Sequence, residues 1–504
     1  MRASQEKKKR QSEPAPLETR KAPAAKKISG SWIAGGIGVL VLVILAIFFA
    51  ILNSGILHQH TTALTVGSHK VSPVMYNYFY QDYYYSLQQD SMMSMVIDFN
   101  SPLDEQYYDE ENGITWADYL EDLTNTQIAQ VYALCDAANE AGYTLSSEQQ
   151  LSATNKVSYM QLAAMTNNLS ESSYLAQYYG AGSSLESFQE YSNMLALASA
   201  YSTAHAESLE YTADEIHAYF DEHEDSLVSY TYRSYTCSVK SDETDEDGNA
   251  VIDSAASEEM AKAMAEEAKG DEAVFAELAR ENAGDSTTAY EDDDATLTYG
   301  MTKSSLSDSY ADWLTDASRV YGDTTAVENS NGTWTVVMYL DNTSSYTGDV
   351  VNIRHILVQP DDTEAEATSE EAKEKAQELL DEYLAGDQTE EAFADLAEAN
   401  SLDSTALEGG LVENVYPASS DLGDRALNDW CFDPDRKPGD TGIVLASDGY
   451  HVMYFVGAGD GGNATDYRTV LSMRSDDNTA WVTELGEQMN ATTNSLGMKL
   501  TKAG

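Results

Sequence analysis

The chain has 504 residues, 42% of them apolar, which is more than one hydrophobic core accommodates, so several domains are expected. It carries 85 acidic residues against 28 basic ones, a formal net charge of −57. Nine of the basic residues crowd into the first 27 positions, and the acidic remainder would be repelled by a phosphate backbone, which excludes nucleic acid as a partner.

Residues 1–27 are polar and rich in Pro, Ala and Lys, the composition of a disordered tail. Residues 28–57 contain no charge, and Ile37–Leu52 is almost purely aliphatic and aromatic. About 20 apolar residues rising 1.5 Å each cross a hydrocarbon layer of roughly 30 Å, so a single transmembrane helix is expected. The alternative is a cleaved signal sequence, although such a core usually runs only about 7–15 residues. Lysines and arginines before the run and an acidic chain after it place the N-terminus in the cytoplasm and the bulk outside the cell membrane.

Residues 62–225 read as a helical domain. Pro73 opens the first helix, and Tyr76, Tyr78, Phe79, Tyr80, Tyr83, Tyr84 and Tyr85 follow within ten positions. Such rings serve either as packing between helices or as a surface that holds unfolded chains, because Tyr joins apolar area to a polar tip.

After residue 225 the chain repeats itself. Phe275–Ala279 (FAELA) returns as Phe393–Ala397 (FADLA), and the run from Trp313 returns from Trp430. The period is too long for a solenoid unit, so two tandem domains are expected at 228–342 and 349–458. In the second, Val351–Gln359 alternates as a strand. Ala372, Ala376, Leu379, Leu380 and Tyr383 recur at helical spacing within a helix over 368–385. Thr389–Asn400 reads as a second helix, Gly409-Gly410 as a turn and Ser420–Trp430 as a third helix. Two strands then close around Asp448-Gly449. The order predicts an α+β unit with an antiparallel sheet. Residues 464–504 read as a C-terminal helical tail. Cys135, Cys237 and Cys431 are far apart and form neither a disulfide framework nor a zinc pattern, so no metal or cofactor is expected.

The second repeat resembles the parvulin family of peptidyl-prolyl isomerases in Arg354–Val358 (RHILV), Phe393–Gly410 (FADLAEANSLDSTALEGG) and Gly449–Phe455 (GYHVMYF). The resemblance implies that His355 and His451 are the paired histidines of the active site. Only these two of the chain's eight histidines fall in this repeat. It also implies that Asp403 is the acidic residue beside them. Val412 takes the place of the family's pocket leucine, Leu427 that of its ring-stacking phenylalanine, and Gly423 that of its pocket methionine. Trp430 and Phe432 then either rebuild the apolar wall or are simply core. The first repeat has Ser234 where the second has His355, so it resembles a parvulin shell without the site. A helical domain followed by two such repeats resembles the SurA and PrsA foldases. The implied function is isomerisation of X-Pro bonds in unfolded or newly exported polypeptides. The alternative is a non-catalytic holdase using the same surfaces.

Overall fold

The computed structural model describes residues 55–244, 250–360, 367 and 369–503, except for the side chains of 285–287. The expected tail at 1–27 and the expected membrane span, apart from its last three residues, lie outside the described residues. Among the described residues no helix is long and apolar enough to cross a membrane.

The chain divides into two compact units, one of residues up to 204 together with those from 480 onward, the other of His205–Thr479. In the first unit, Ser72 caps the helix Pro73–Gln89 by accepting from the Met75 amide, with Pro73 in the first turn where no amide is needed. This helix lies against Trp116–Glu140, and Glu171–Tyr179 and Leu185–Ser208 complete the core. Tyr76, Tyr78 and Phe79 have no exposed surface, and Tyr78 sits between Phe188 and Tyr191 while its hydroxyl meets Ser187 at 2.8 Å. These rings therefore pack between helices, whereas Tyr84 and Tyr85 stay partly exposed. The C-terminal residues return here: Thr492–Thr493 pairs with Leu64–Val66, and Met498 joins the core.

The helix Ala213–Leu227, which sequence placed with the N-terminal helices, belongs to the second unit. Its Phe220 packs on the apolar cluster of Val228, Tyr230, Leu314 and Val337, so burial decides where it sits. Two modules of the same plan follow. The first contains β1 (Ser229–Cys237), α1 (Ser254–Glu267), α2 (Glu272–Asn282), β2 (Leu297–Thr302), α3 (Ala311–Leu314), β3 (Thr324–Glu328) and β4 (Trp334–Asn342). The second contains β5 (Asp349–Val358), α4 (Glu370–Ala385), α5 (Glu390–Asn400), β6 (Leu411–Val415), α6 (Arg425–Cys431), β7 (Thr441–Ala446) and β8 (Gly449–Asn463). The sheets are antiparallel and run β2-β1-β4-β3 and β6-β5-β8-β7, the same order twice.

Strand alternation sorts the second module into two apolar layers. On one face Ile356, Val358, Val452 and Tyr454 meet Ala372, Ala376, Tyr383, Phe393 and Ala397 of α4 and α5. On the other, Ile353, Met453 and Phe455 meet Leu422, Leu427 and Cys431. The third helix is shorter than the sequence predicts. Gly423 adopts φ 62° and breaks the run, and Asp424 then caps α6 by accepting from the Ala426 amide.

Candidate functional site

β5 and β8 are neighbours, with His355 opposite Met453 and Leu357 opposite His451. The two histidines are thus diagonal partners on one face, and their Nδ1 atoms lie 3.0 Å apart in rings tilted by only 6°. Both are buried, at 7% and 3% exposure. His451 Nε2 lies 2.9 Å from Asp448 Oδ1 in the β7–β8 turn. A carboxylate only accepts, so His451 Nε2 donates to Asp448, and one of the two Nδ1 atoms donates to the other.

His355 Nε2 faces the other end of this chain of contacts, 3.2 Å from Thr405 Oγ1 and 3.4 Å from Asp403 Oδ1. Asp403 caps the short turn Ser404–Glu408, and its Oδ1 accepts from the Thr405 amide at 2.8 Å and the Thr405 hydroxyl at 2.6 Å. Ser401 Oγ ties this turn to β5 by accepting from the Leu357 amide. The carbonyl of Gly410, which adopts φ 69°, accepts from the His355 amide at 2.9 Å, and a Cβ there would collide with the His355 carbonyl. The glycine pair read as a turn thus also lets the chain press against the histidine strand.

His355, His451 and Asp403 therefore stand together as the resemblance implied. Thr405 and Asp448 complete the row and were not selected from sequence. The signal for Thr405 was its place two residues after an aspartate, the spacing of a local side-chain turn. In the sequence Asp448 carries only the signal of a hairpin residue. Val412, Leu427 and Phe432 share the apolar cluster on the histidine face, with Leu427 buried and the other two half-buried. Val412 pairs with Ile353, two residues from His355. Leu422, not Gly423, supplies the apolar side chain at its end of the wall. Phe432 also lies edge-on to Tyr346, with ring centres 4.9 Å apart, and the Arg436 guanidinium covers Trp430 at 4.1 Å.

The first module keeps the frame and lacks the histidines. Arg233 bonds Glu272 at 2.9 Å as Arg354 bonds Glu390 at 3.0 Å. The Ser234 amide donates to Thr296 as the His355 amide donates to Gly410. Ser234 thus occupies the His355 position, and the sequence has no histidine between residues 224 and 354.

Burial lowers the His355 pKa below the usual 6.5, helped by the neighbouring His451 ring and opposed by Asp403. Burial works against ionisation of Asp403, but the two Thr405 hydrogen bonds and the nearby His355 together lower its pKa. For His355 the unfolded chain binds the proton that the folded chain refuses. Its contribution to stability is therefore complete above about pH 6.5 and is lost as pH falls through that value. We expect the unfolding free energy from urea titration to fall between pH 7.5 and pH 5.5 by up to about 1.4 kcal/mol per pH unit, and less steeply in H355N. Identical pH profiles for the two proteins would contradict this assignment.

Residues 335–456 match the family model described as the PPIC-type PPIASE domain. The match begins in β4 of the first module and ends in β8. Among solved structures, the chain is similar to a peptidylprolyl isomerase (PrsA) from Bacillus anthracis, at 15% identity over 30% of this chain and 65% of that one, TM-score 0.20. It is similar to foldase protein PrsA from Streptococcus pneumoniae, at 17% identity over 46% and 75%, TM-score 0.23. It is also similar to a structure from Campylobacter jejuni reported for the SurA-like chaperones PEB4 and Cj1289, at 16% identity over 39% and 70%, TM-score 0.16. The chain spans less than two thirds of the Bacillus anthracis protein. No curated protein matches it.

Proposed function

We propose that the chain is a membrane-anchored, extracytoplasmic folding factor whose second module catalyses cis/trans isomerisation of X-Pro bonds in exported polypeptides. The observation that carries this reading is the His355–His451 pair, buried beside an apolar wall and bounded by Asp403 and Asp448. The barrier to be lowered is about 20 kcal/mol, and the uncatalysed step takes tens of seconds or longer.

The chemistry needs no covalent step. Twisting the prolyl amide removes its resonance, so the transition state is less polar than either planar form. A dry wall of Val412, Leu427 and Phe432 around the proline ring therefore favours it. The row from Asp403 to Asp448 fixes the two imidazoles, so their dipoles need no reorganisation as the carbonyl turns. Asp403 retains 29% side-chain exposure and Asp448 54%, so both ends of the row meet solvent. Anchoring through residues 28–57, with the N-terminus inside, rests on the uncharged run and the basic cluster before it.

A client whose refolding is limited by a slow prolyl phase tests this reading. Substoichiometric full chain shortens that phase at least several-fold without changing the final yield. An unchanged slow phase in the presence of folded chain overturns the isomerase reading.

The holdase alternative is favoured by features of the first unit. Tyr80, Tyr84 and Tyr85 line a groove of about 500 Å³ with Pro102 and Leu103. Tyr159, Leu162 and Met165 stand exposed along the helix Ser147–Thr166. This reading leaves the prolyl phase untouched and raises yield instead, so the same experiment separates the two.

A further inference from the structure

The helix that carries the apolar wall is held from outside its own module. Arg425 opens α6, and its guanidinium makes two hydrogen bonds to Glu272 at the start of α2 in the first module, at 2.7 and 3.1 Å. This paired geometry is the strongest form of charge-assisted bond, and both side chains are largely buried, at 18% exposure for Glu272 and 27% for Arg425. Arg233 and the Tyr321 hydroxyl hold Glu272 from within the first module, at 2.9 and 3.0 Å. Burial works against ionisation of Glu272, yet the two guanidinium groups lower its pKa to about 2.

The repeat shows that this contact is an addition to the common plan. Glu390, the counterpart of Glu272, bonds only its own Arg354 among the described residues. The counterpart of Arg425 in the first module is Asp308, which cannot make such a pair. A second contact supports the same segment. Gly300 of β2 lies against Ala418, where an added Cβ would stand 3.3 Å from the Ala418 methyl. Ala418 itself adopts φ 59°, and its amide donates to Asn428 of α6. On the other side, Asp424 accepts from the Ser447 amide of the β7–β8 turn that carries Asp448.

We infer that the histidine-free first module acts as a brace for the second: Glu272 is a positioning residue that fixes α6, and with it Leu427 and Phe432, against the histidine face. This rests on the isomerase reading above. The brace explains why a repeat without catalytic side chains retains the full fold.

The test uses the full chain and its R425M, E272Q and double variants, with a proline peptide as substrate. R280M, which removes bonds to Tyr290, Glu291 and Asp293 that all stay within the first module, is the control. The histidine row is untouched in all of them, so the loss appears in proline binding. We expect KM to rise about tenfold in R425M and E272Q, with kcat changed less than twofold and R280M unchanged. The double variant is no worse than either single one, because both remove the same contact. The resonance of fluorinated Trp430 shifts in R425M and E272Q but not in R280M. Should E272Q fail to fold, R425M decides alone, since Glu272 then keeps Arg233 and Tyr321. An unchanged KM in folded R425M overturns the brace while leaving the isomerase reading intact. A wild-type chain without isomerase activity overturns the isomerase reading, and the brace with it.

Discussion

Replacing His355 with alanine lowers kcat/KM for a proline peptide by about 100-fold, the loss seen when a preorganised polar group facing the reacting bond is removed. His355 joins both halves of the row: it shares a hydrogen bond with His451 and faces Thr405 and Asp403. Without it, His451 keeps only Asp448, and a buried imidazole nitrogen is left without a partner, at a cost of about 1–3 kcal/mol in stability. The rate is therefore compared where circular dichroism and the thermal midpoint show the variant folded. D403N separates charge from connectivity, since it can still accept from Thr405 without carrying a carboxylate. A rate within twofold of wild type in folded H355A would remove the row from the mechanism.

Replacing Phe393 with alanine has the largest expected effect on stability, about 3–5 kcal/mol. Its ring is fully buried on α5, lying edge-on to Tyr383 at 5.4 Å and tilted against Tyr454 at 5.3 Å. A loss of that size is a large fraction of the roughly 5–15 kcal/mol that holds a domain folded. Phe275 is its counterpart in the first module and belongs to a separate apolar cluster. F393A therefore lowers the urea midpoint of the second module, followed through isomerase activity, more than F275A does. Equal loss in both variants would show that the two cores unfold as one.

The tandem plan was legible because each repeat states its periodicity twice. Phe275 and Phe393 fall on the buried faces of matching helices, and residues alternating along β5 divide cleanly between two apolar layers. The histidine pair was legible through its flanking motifs, since a diagonal cross-strand contact leaves no trace in sequence spacing. What remained hidden depends on tertiary placement. Thr405 gains its role only once Asp403 folds the chain back beneath His355, and Asp448 only once the β7–β8 turn brings it under His451. The late start of α6 follows from Gly423, whose positive φ outweighs the apolar spacing that suggested a longer helix. The assignment of Ala213–Leu227 to the second unit depends on where Phe220 finds its contacts. The Glu272–Arg425 pair spans 153 positions and breaks the repeat's symmetry, so neither spacing nor self-comparison points to it.

The claim on which the account rests is that a prolyl amide twists more easily against the wall beside the two imidazoles than it does in water. Exchange spectroscopy on a proline peptide, with substoichiometric full chain present, measures this directly. The account predicts that cis and trans signals interconvert on a timescale of seconds or less, and that the effect is lost in H355A. Interconversion at the uncatalysed rate, tens of seconds or longer, with a folded chain whose His355 and His451 remain hydrogen-bonded, would contradict it.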